Sequence, residues 1–246
     1  MSGRGSWNIQ GAGGTKQYKD ASKPGPYYFT GTGYITSGTR DANAYAVFMG
    51  VKAFQRALGR EGIACLVDGL YGPATTKAMT AFQEKWKATG DPKASVWGGV
   101  GPETSERLLR PWLVTTLGQM AHNALITAMV VSGIVRTESE WDPGAVGAAD
   151  ERDVGLAQIN TDAHTDVDTD ERLTPEVSFQ FIISYCNEAL SLLGNNLRDA
   201  VASYNLGVGG ARSWIKAGRP DLWAPAGTDP NKPRNVKNYI DKVLQG

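Results

Sequence analysis

From Asp41 to the carboxy terminus no run of this chain reads as a central strand, and apolar residues recur instead at helical spacing between glycines and prolines. That pattern confines the chain to a mainly α fold. Val47, Val51, Phe54 and Leu58 recur at steps of four, three and four, which marks one face of a helix that Gly59 can close. A second helix is predicted after Gly72-Pro73, with Met79, Phe82 and Trp86 on one face and Gly90 as its stop. A third, shorter one follows Gly101-Pro102 and carries Leu108 and Leu109, and 111–117 reads as a connection. The segment Tyr71-Gly72-Pro73-Ala74-Thr75 is echoed by Val100-Gly101-Pro102-Glu103-Thr104, each a turn glycine before a proline suited to the first helical turn.

The longest apolar stretch, residues 124–135, is about a dozen residues long where a membrane span needs about 20, so it reads as a buried helix from His122 to Glu138. Thr174-Pro175-Glu176 opens another helix, with Val177, Phe181, Tyr185 and Leu192 as its stripe and Gly194 as its stop. Short helices are expected over 199–205, 211–217 and 235–244. Residues 1–45, rich in Gly, Thr, Ser and Tyr, lack a helical stripe and read as an irregular arm, with a hairpin over 27–35 or an extended linker as alternatives.

Charge bears on partners. Lys+Arg and Asp+Glu number 25 each in 246 residues, and this zero balance argues against nucleic acid or an anionic membrane as the main partner. The zero is a sum of unlike parts: +3 over 1–45, +3 over 46–110 and −6 over 111–246. Cys65 and Cys186 lie too far apart for a disulfide framework or a metal-ligand spacing and are expected to serve as small apolar residues. The amino-terminal residues hold no apolar run of the secretion-signal type, so the chain is expected to stay inside or to leave by another route.

Glu138 is the candidate for chemistry. At the carboxy-terminal end of an apolar helix a carboxylate feels the negative end of the helix dipole and an apolar surround, and both favour the protonated form a general acid needs. The acidic carboxy-terminal part of the chain is expected to act in the same sense.

Two resemblances give these residues a context. Val51, Phe54-Gln55 and Leu58, then Val67-Asp68-Gly69-Leu70-Tyr71-Gly72-Pro73, then Phe82-Gln83 and Val100-Gly101-Pro102, together look like the small three-helix peptidoglycan-binding domain of cell-wall hydrolases. The resemblance implies a wall-binding module over 46–110 with its ligand near the Asp68 to Tyr71 loop, Tyr71 being a core ring or a ligand platform. Glu138-Ser139 with Trp141-Asp142-Pro143, then Gly155-Leu156-Ala157-Gln158-Ile159-Asn160, then Ala202-Ser203-Tyr204-Asn205-Leu206-Gly207, then Asn238-Tyr239, resemble the successive motifs of the soluble lytic transglycosylase and goose-type lysozyme superfamily. This implies an α-helical lysozyme-like catalytic domain over 111–246. Glu138 would be the acid/base, Gln158 and Asn160 would line the cleft, Tyr204 and Asn205 would position the sugar or the acid, and Tyr239 would close the far side. Ser139 would cap the helix or touch the cleft, and His164 matches a goose-type position.

Two departures bear on the reaction. The usual Gly-Leu-Met-Gln is Gly-Leu-Ala157-Gln here, and the segment before Gly155 carries Asp150, Glu151 and Asp153. A lytic transglycosylase needs one carboxylate and yields a 1,6-anhydro product, whereas an inverting hydrolase needs a second one, a role open to Asp150 or Asp153. The acidic run from Asp162 to Glu171 fails the calcium-loop pattern at its glycine and its last glutamate, so no metal and no cofactor is expected. The expected substrate is the peptidoglycan glycan strand, cut between MurNAc and GlcNAc. The expected carrier is a bacteriophage, as an endolysin released from the host cytoplasm through a holin lesion or as a virion lysin anchored to tail or capsid proteins by residues 1–45. The rival reading is a structural or wall-binding protein with a silent lysozyme-like domain.

Overall fold

The computed structural model describes residues 7–10, 15–18, 27–28, 42–147, 153–160, 163–164, 169–225 and 228–245. The fold is mainly α, as the helical periodicity requires. It divides into two compact units, Met1–Trp112 with Glu138–Ser178, and Leu113–Thr137 with Phe179–Gly246.

In the first unit the amino-terminal arm carries more regular structure than expected. Strands β1 (Trp7–Gln10), β2 (Thr15–Tyr18) and β3 (Tyr27–Tyr28) form an antiparallel sheet in that order, with Trp7 opposite Tyr18 and Lys16 opposite Tyr27. β1 and β2 are antiparallel neighbours separated by the sequence Gly-Ala-Gly-Gly. Of the stretch 27–35, Tyr27-Tyr28 is strand and the rest, like all of 29–41, lies outside the described residues.

Helices α1 (Ala42–Arg60), α2 (Pro73–Lys87) and α3 (Pro102–Met120) follow. Val51, Phe54 and Leu58 are buried, as the spacing demands, while the side chain of Val47 is outside the described set. Helix α1 passes through Gly59 and ends at Arg60, and the left-handed Gly62 turns the chain away, with the Ile63 amide donating to the Leu58 carbonyl. Helix α3 runs unbroken through the expected 111–117 connection. Leu108, Leu109, Trp112, Leu113 and Thr116 continue one buried stripe past Pro111, whose ring faces outward, and that burial offsets the hydrogen bond the proline cannot make.

The sequence echo has a physical basis. Buried Gln55 donates to the Asp68 carboxylate, the Leu70 carbonyl and the Thr75 hydroxyl, and accepts from the Gly69 amide. Buried Gln83 likewise donates to the Gly99 carbonyl and accepts from the Trp97 and Gly98 amides, with the Thr104 hydroxyl 3.4 Å away. Each glutamine thus satisfies the backbone of the loop that leads into the next Gly-Pro helix start.

The rest of this unit holds the hairpin β4 (Asp153–Val154) and β5 (Ile159–Asn160) and the short α5 (Thr169–Arg172). Ala46, Val154 and Leu173 form a small buried cluster with Met49 and Val146 packed against it.

The second unit contains most of α4 (Ala128–Ser139) and α6 (Pro175–Leu192), with α7 (Leu197–Lys216), the pair β6 (Leu222–Trp223) and β7 (Arg234–Asn235), and α8 (Val236–Gln245). Helix α4 starts later than His122. A hydroxyl-bearing Thr127 precedes it, and Val130, Val131, Ile134 and Val135 supply its buried face. Helix α8 lies so close to α4 that a Cβ on Gly133 would sit 2.0 Å from the Val243 carbonyl oxygen. In α6 the buried face is Phe179, Ile182, Ile183, Cys186 and Leu190, not the expected stripe, and Leu192 is 44% exposed. Asn196 caps α7 by accepting from the Asp199 amide, and Gly207 (φ 71°, ψ 157°) breaks that helix. Both thiols are free, and burial pushes the Cys186 thiol up to about 12. Among the described residues no helix is long and apolar enough to cross a membrane.

Candidate active site

Glu138 lies half-buried in the last turn of α4, and the chain leaves that helix by an unusual route. Glu140 (φ 53°) and Trp141 (φ 64°) are consecutive left-handed residues without being glycine. That conformation costs roughly 1–2 kcal/mol per residue. Burying an indole of about 200 Å² returns roughly 5 kcal/mol at about 25 cal/mol per Å². Trp141 is among the largest fully buried side chains, so packing holds the turn against its backbone strain. Asp142 tightens it further: its amide donates to the Ser139 carbonyl (3.0 Å) and its carboxylate accepts from the Gly144 amide (2.9 Å).

The helix end is tied to the Gly155-Leu156-Ala157-Gln158 turn. The buried Ser139 hydroxyl donates to the Leu156 carbonyl at 3.0 Å, so Ser139 links the two motifs. Gly155 is left-handed, and a Cβ there would lie 2.2 Å from the Arg172 carbonyl oxygen, so glycine is required twice over. Gln158, also left-handed (φ 48°), donates from its amide nitrogen to the Gly155 carbonyl at 3.0 Å and closes its own turn. Ala157 is buried.

Beyond the turn, Asp153 and Asn160 face each other across β4 and β5, and the Asn160 amide group donates to the Asp153 carboxylate at 2.9 Å. The Asn160 side-chain oxygen accepts from the Ala163 amide at 3.0 Å, and the His164 amide donates to the Asn160 carbonyl at 3.1 Å. Buried Arg172 donates to the His164 carbonyl. The first unit therefore gathers Glu138, Ser139, Asp153, Gln158, Asn160 and His164 on one hydrogen-bonded stretch. Asp150 lies outside the described residues.

Tyr204, Asn205 and Tyr239 belong to the second unit. Tyr204 meets Tyr185 edge-on, with ring centroids 5.2 Å apart at 73°, and Phe181 at 6.5 Å and 80°. The Tyr185 hydroxyl donates to the Ser203 carbonyl at 2.7 Å, which fixes the ring against α7. Arg234 donates to the Asn205 carbonyl just before the break at Gly207. Tyr239 is buried on α8. Phe181 and Tyr185 belong to the stripe that the spacing marks on α6. They stand instead beside the core face as partners of Tyr204, and the signal for this is two aromatic rings four apart with smaller apolar residues available for the core.

Of the two wall-binding candidates, Tyr71 requires correction. Its ring is 2% exposed and its hydroxyl donates to the Gly98 carbonyl at 2.8 Å, so it is a core ring with no face open for stacking. Asp68 remains exposed, and one carboxylate oxygen accepts from Gln55 and from the Leu70 amide. Among the described residues no cluster of His, Cys, Asp or Glu is suited to a metal ion, while Asp162, Asp166 and Asp168 lie outside them.

The match to known families falls on this region. The transglycosylase SLT domain model matches residues 117–220, a span that holds Glu138, the Gly155 to Gln158 turn, Tyr204 and Asn205. The class this domain defines is the peptidoglycan lytic transglycosylase, an enzyme that degrades cell wall. A search of curated proteins returns no match to the chain.

Proposed function

We propose that Glu138 is the acid/base of this lytic transglycosylase and that it cleaves the β-1,4 bond between MurNAc and GlcNAc. The observation that carries the reading is the Ser139 to Leu156 hydrogen bond, which joins the Glu138 helix end to the Gly-Leu-Ala-Gln turn inside the matched domain. Protonated Glu138 gives its proton to the glycosidic oxygen as the bond to MurNAc C1 breaks. The acetamido oxygen of the sugar stabilises the developing cation. The C6 hydroxyl then attacks C1 and returns its proton to the Glu138 carboxylate, so no water is consumed and the product is 1,6-anhydro-MurNAc. By the motif resemblance, Gln158, Asn160, His164, Tyr204, Asn205 and Tyr239 are the residues proposed to hold the glycan.

Replacing Glu138 with Gln tests the assignment. Clearing of purified walls is expected to be lost while binding to sacculi persists, and undiminished clearing overturns the role of Glu138. Mass spectrometry of the released fragments tests the reaction: products lighter by one water support the transglycosylase. Reducing ends would favour an inverting hydrolase, for which Asp153 is the described candidate second carboxylate.

The wider reading is a phage-type lysin. Residues 46–110 are proposed as its wall-binding module, with Asp68 on the candidate loop, and 111–246 as its catalytic part. Its setting is the host cytoplasm until lysis or the virion, where residues 1–45 would anchor it to tail or capsid proteins. The basic balance of the first 110 residues suits an acidic wall polymer.

A further inference from the structure

We propose that Ser105, on α3 of the proposed wall-binding module, is a positioning residue for Glu138, so that this module forms part of the catalytic scaffold as well as a wall anchor. The inference rests on Glu138 being the acid. Ser105 is fully buried, and its hydroxyl donates to the Trp141 carbonyl at 2.5 Å, across 36 residues of chain. That carbonyl belongs to the second left-handed residue of the turn that ends the Glu138 helix, where the chain has left the helical hydrogen-bond ladder. A buried carbonyl of this kind requires a donor from elsewhere, and α3 supplies it.

The same turn is gripped from α1. Gly50 lies against Gly144 so closely that a Cβ would stand 2.9 Å from the Gly144 nitrogen and 3.1 Å from its Cα. Ala46 and Met49, from the same helix, pack with Val146, Val154 and Leu173 around the hairpin that carries Gly155 to Gln158. At the other end of α1, Arg60 pairs with Glu176 at 3.5 Å and lies over the buried Trp112 ring at 4.1 Å. The turn after Glu138 thus touches both a hydroxyl from α3 and a glycine from α1, while the hairpin packs against apolar residues of α1. All of these residues belong to one compact unit.

A catalytic carboxylate must be held to within about 0.5 Å of its working place, and an error of about 1 Å costs on the order of a hundredfold in rate. Ser105 acts on Glu138 only through the Trp141 turn, so its loss should lower kcat rather than weaken binding.

The test uses the full chain with Ser105→Ala, Ser105→Thr, Gly50→Ala and Glu138→Gln. Turnover of soluble glycan strands is measured well below each Tm and normalised to the folded fraction by circular dichroism, with sacculus binding in parallel. The expected result for Ser105→Ala is a fall in kcat of about ten- to a hundredfold with KM within about twofold and sacculus binding unchanged. Ser105→Thr, which keeps the hydroxyl, should recover most of the rate. Gly50→Ala, which presses the same turn at Gly144, should also lower kcat, and it stands as the test if Ser105→Ala does not fold. The proposal is overturned if the folded fraction of Ser105→Ala turns over at the wild-type rate, or, should that variant not fold, if Gly50→Ala does so. An active Glu138→Gln would remove the acid and with it the residue being positioned. A dead Glu138→Gln beside an unaffected Ser105→Ala would remove this inference alone.

Discussion

Gln55 shows how one side chain can decide a loop. It is buried, its amide nitrogen faces three acceptors within hydrogen-bond distance and its oxygen accepts one bond, all with the segment 68–75. Truncation would leave several of those partners without their bond, at about 1–3 kcal/mol for each buried group left unsatisfied. Gln55→Ala is therefore expected to lower stability by about 3 kcal/mol or more, read as a shift of the urea midpoint at constant slope. Gln83→Ala should behave alike, because Gln83 serves the second copy of the same loop. Cys186 carries a pH effect of definite sign. Burial holds its thiol near 12 against an ordinary 9.0, so between those values the unfolded chain loses a proton that the native chain keeps. Stability is then lost as pH rises above 9, at up to about 1.4 kcal/mol per pH unit. Thermal unfolding across that range should show a steeper fall for the wild type than for Cys186→Ala, and the remaining slope would include the buried Tyr71 phenol, whose pKa burial also raises. Both side chains were visible in the sequence as types, but only their depth gives them these roles.

Helix α7 illustrates a feature legible in the sequence at the level of the element. The two short helices expected over 199–205 and 211–217 leave Gly207 between them, and it breaks α7 two residues after Asn205. A Cβ at Gly207 would meet nothing within 4 Å, so the cost of replacing it is conformational rather than steric. Gly207→Ala is expected to lose roughly 1–2 kcal/mol, measured by chemical denaturation. If the native angles relax instead toward helix, the aim of Asn205 changes and activity falls with little loss of stability. Helix α6 shows the opposite case. Several stripes on a helix rich in apolar residues satisfy the same periodicity, and spacing alone marks the one through Phe181 and Tyr185. The neighbouring Phe179, Ile182 and Ile183 fill the core, leaving the two rings to meet Tyr204.

Across the whole molecule, the first compact unit joins the amino-terminal helices to residues 138–178. Removing residues 1–101 would take away α1 and α2, and with them Gly50 against Gly144 and Ala46 and Met49 against Val146 and Val154. The truncated chain is expected to lose wall-degrading activity outright and to show reduced helicity and a lower or absent unfolding transition by circular dichroism. A fragment of full turnover with only weaker sacculus binding would contradict that expectation.

The sequence by itself determined the mainly α class, most helix starts and stops, the paired Gly-Pro loops and the motifs that mark the transglycosylase domain. These depend on local backbone preferences and on residue types a few positions apart. Tertiary structure decided which of several apolar faces became the core, that Tyr71 points inward, that α3 continues through Pro111 and that the turn after Glu138 rests on α1 and α3. Each of those outcomes depends on which distant surface arrives to cover a group, and burial of that kind is a property of the packed chain rather than of its local pattern.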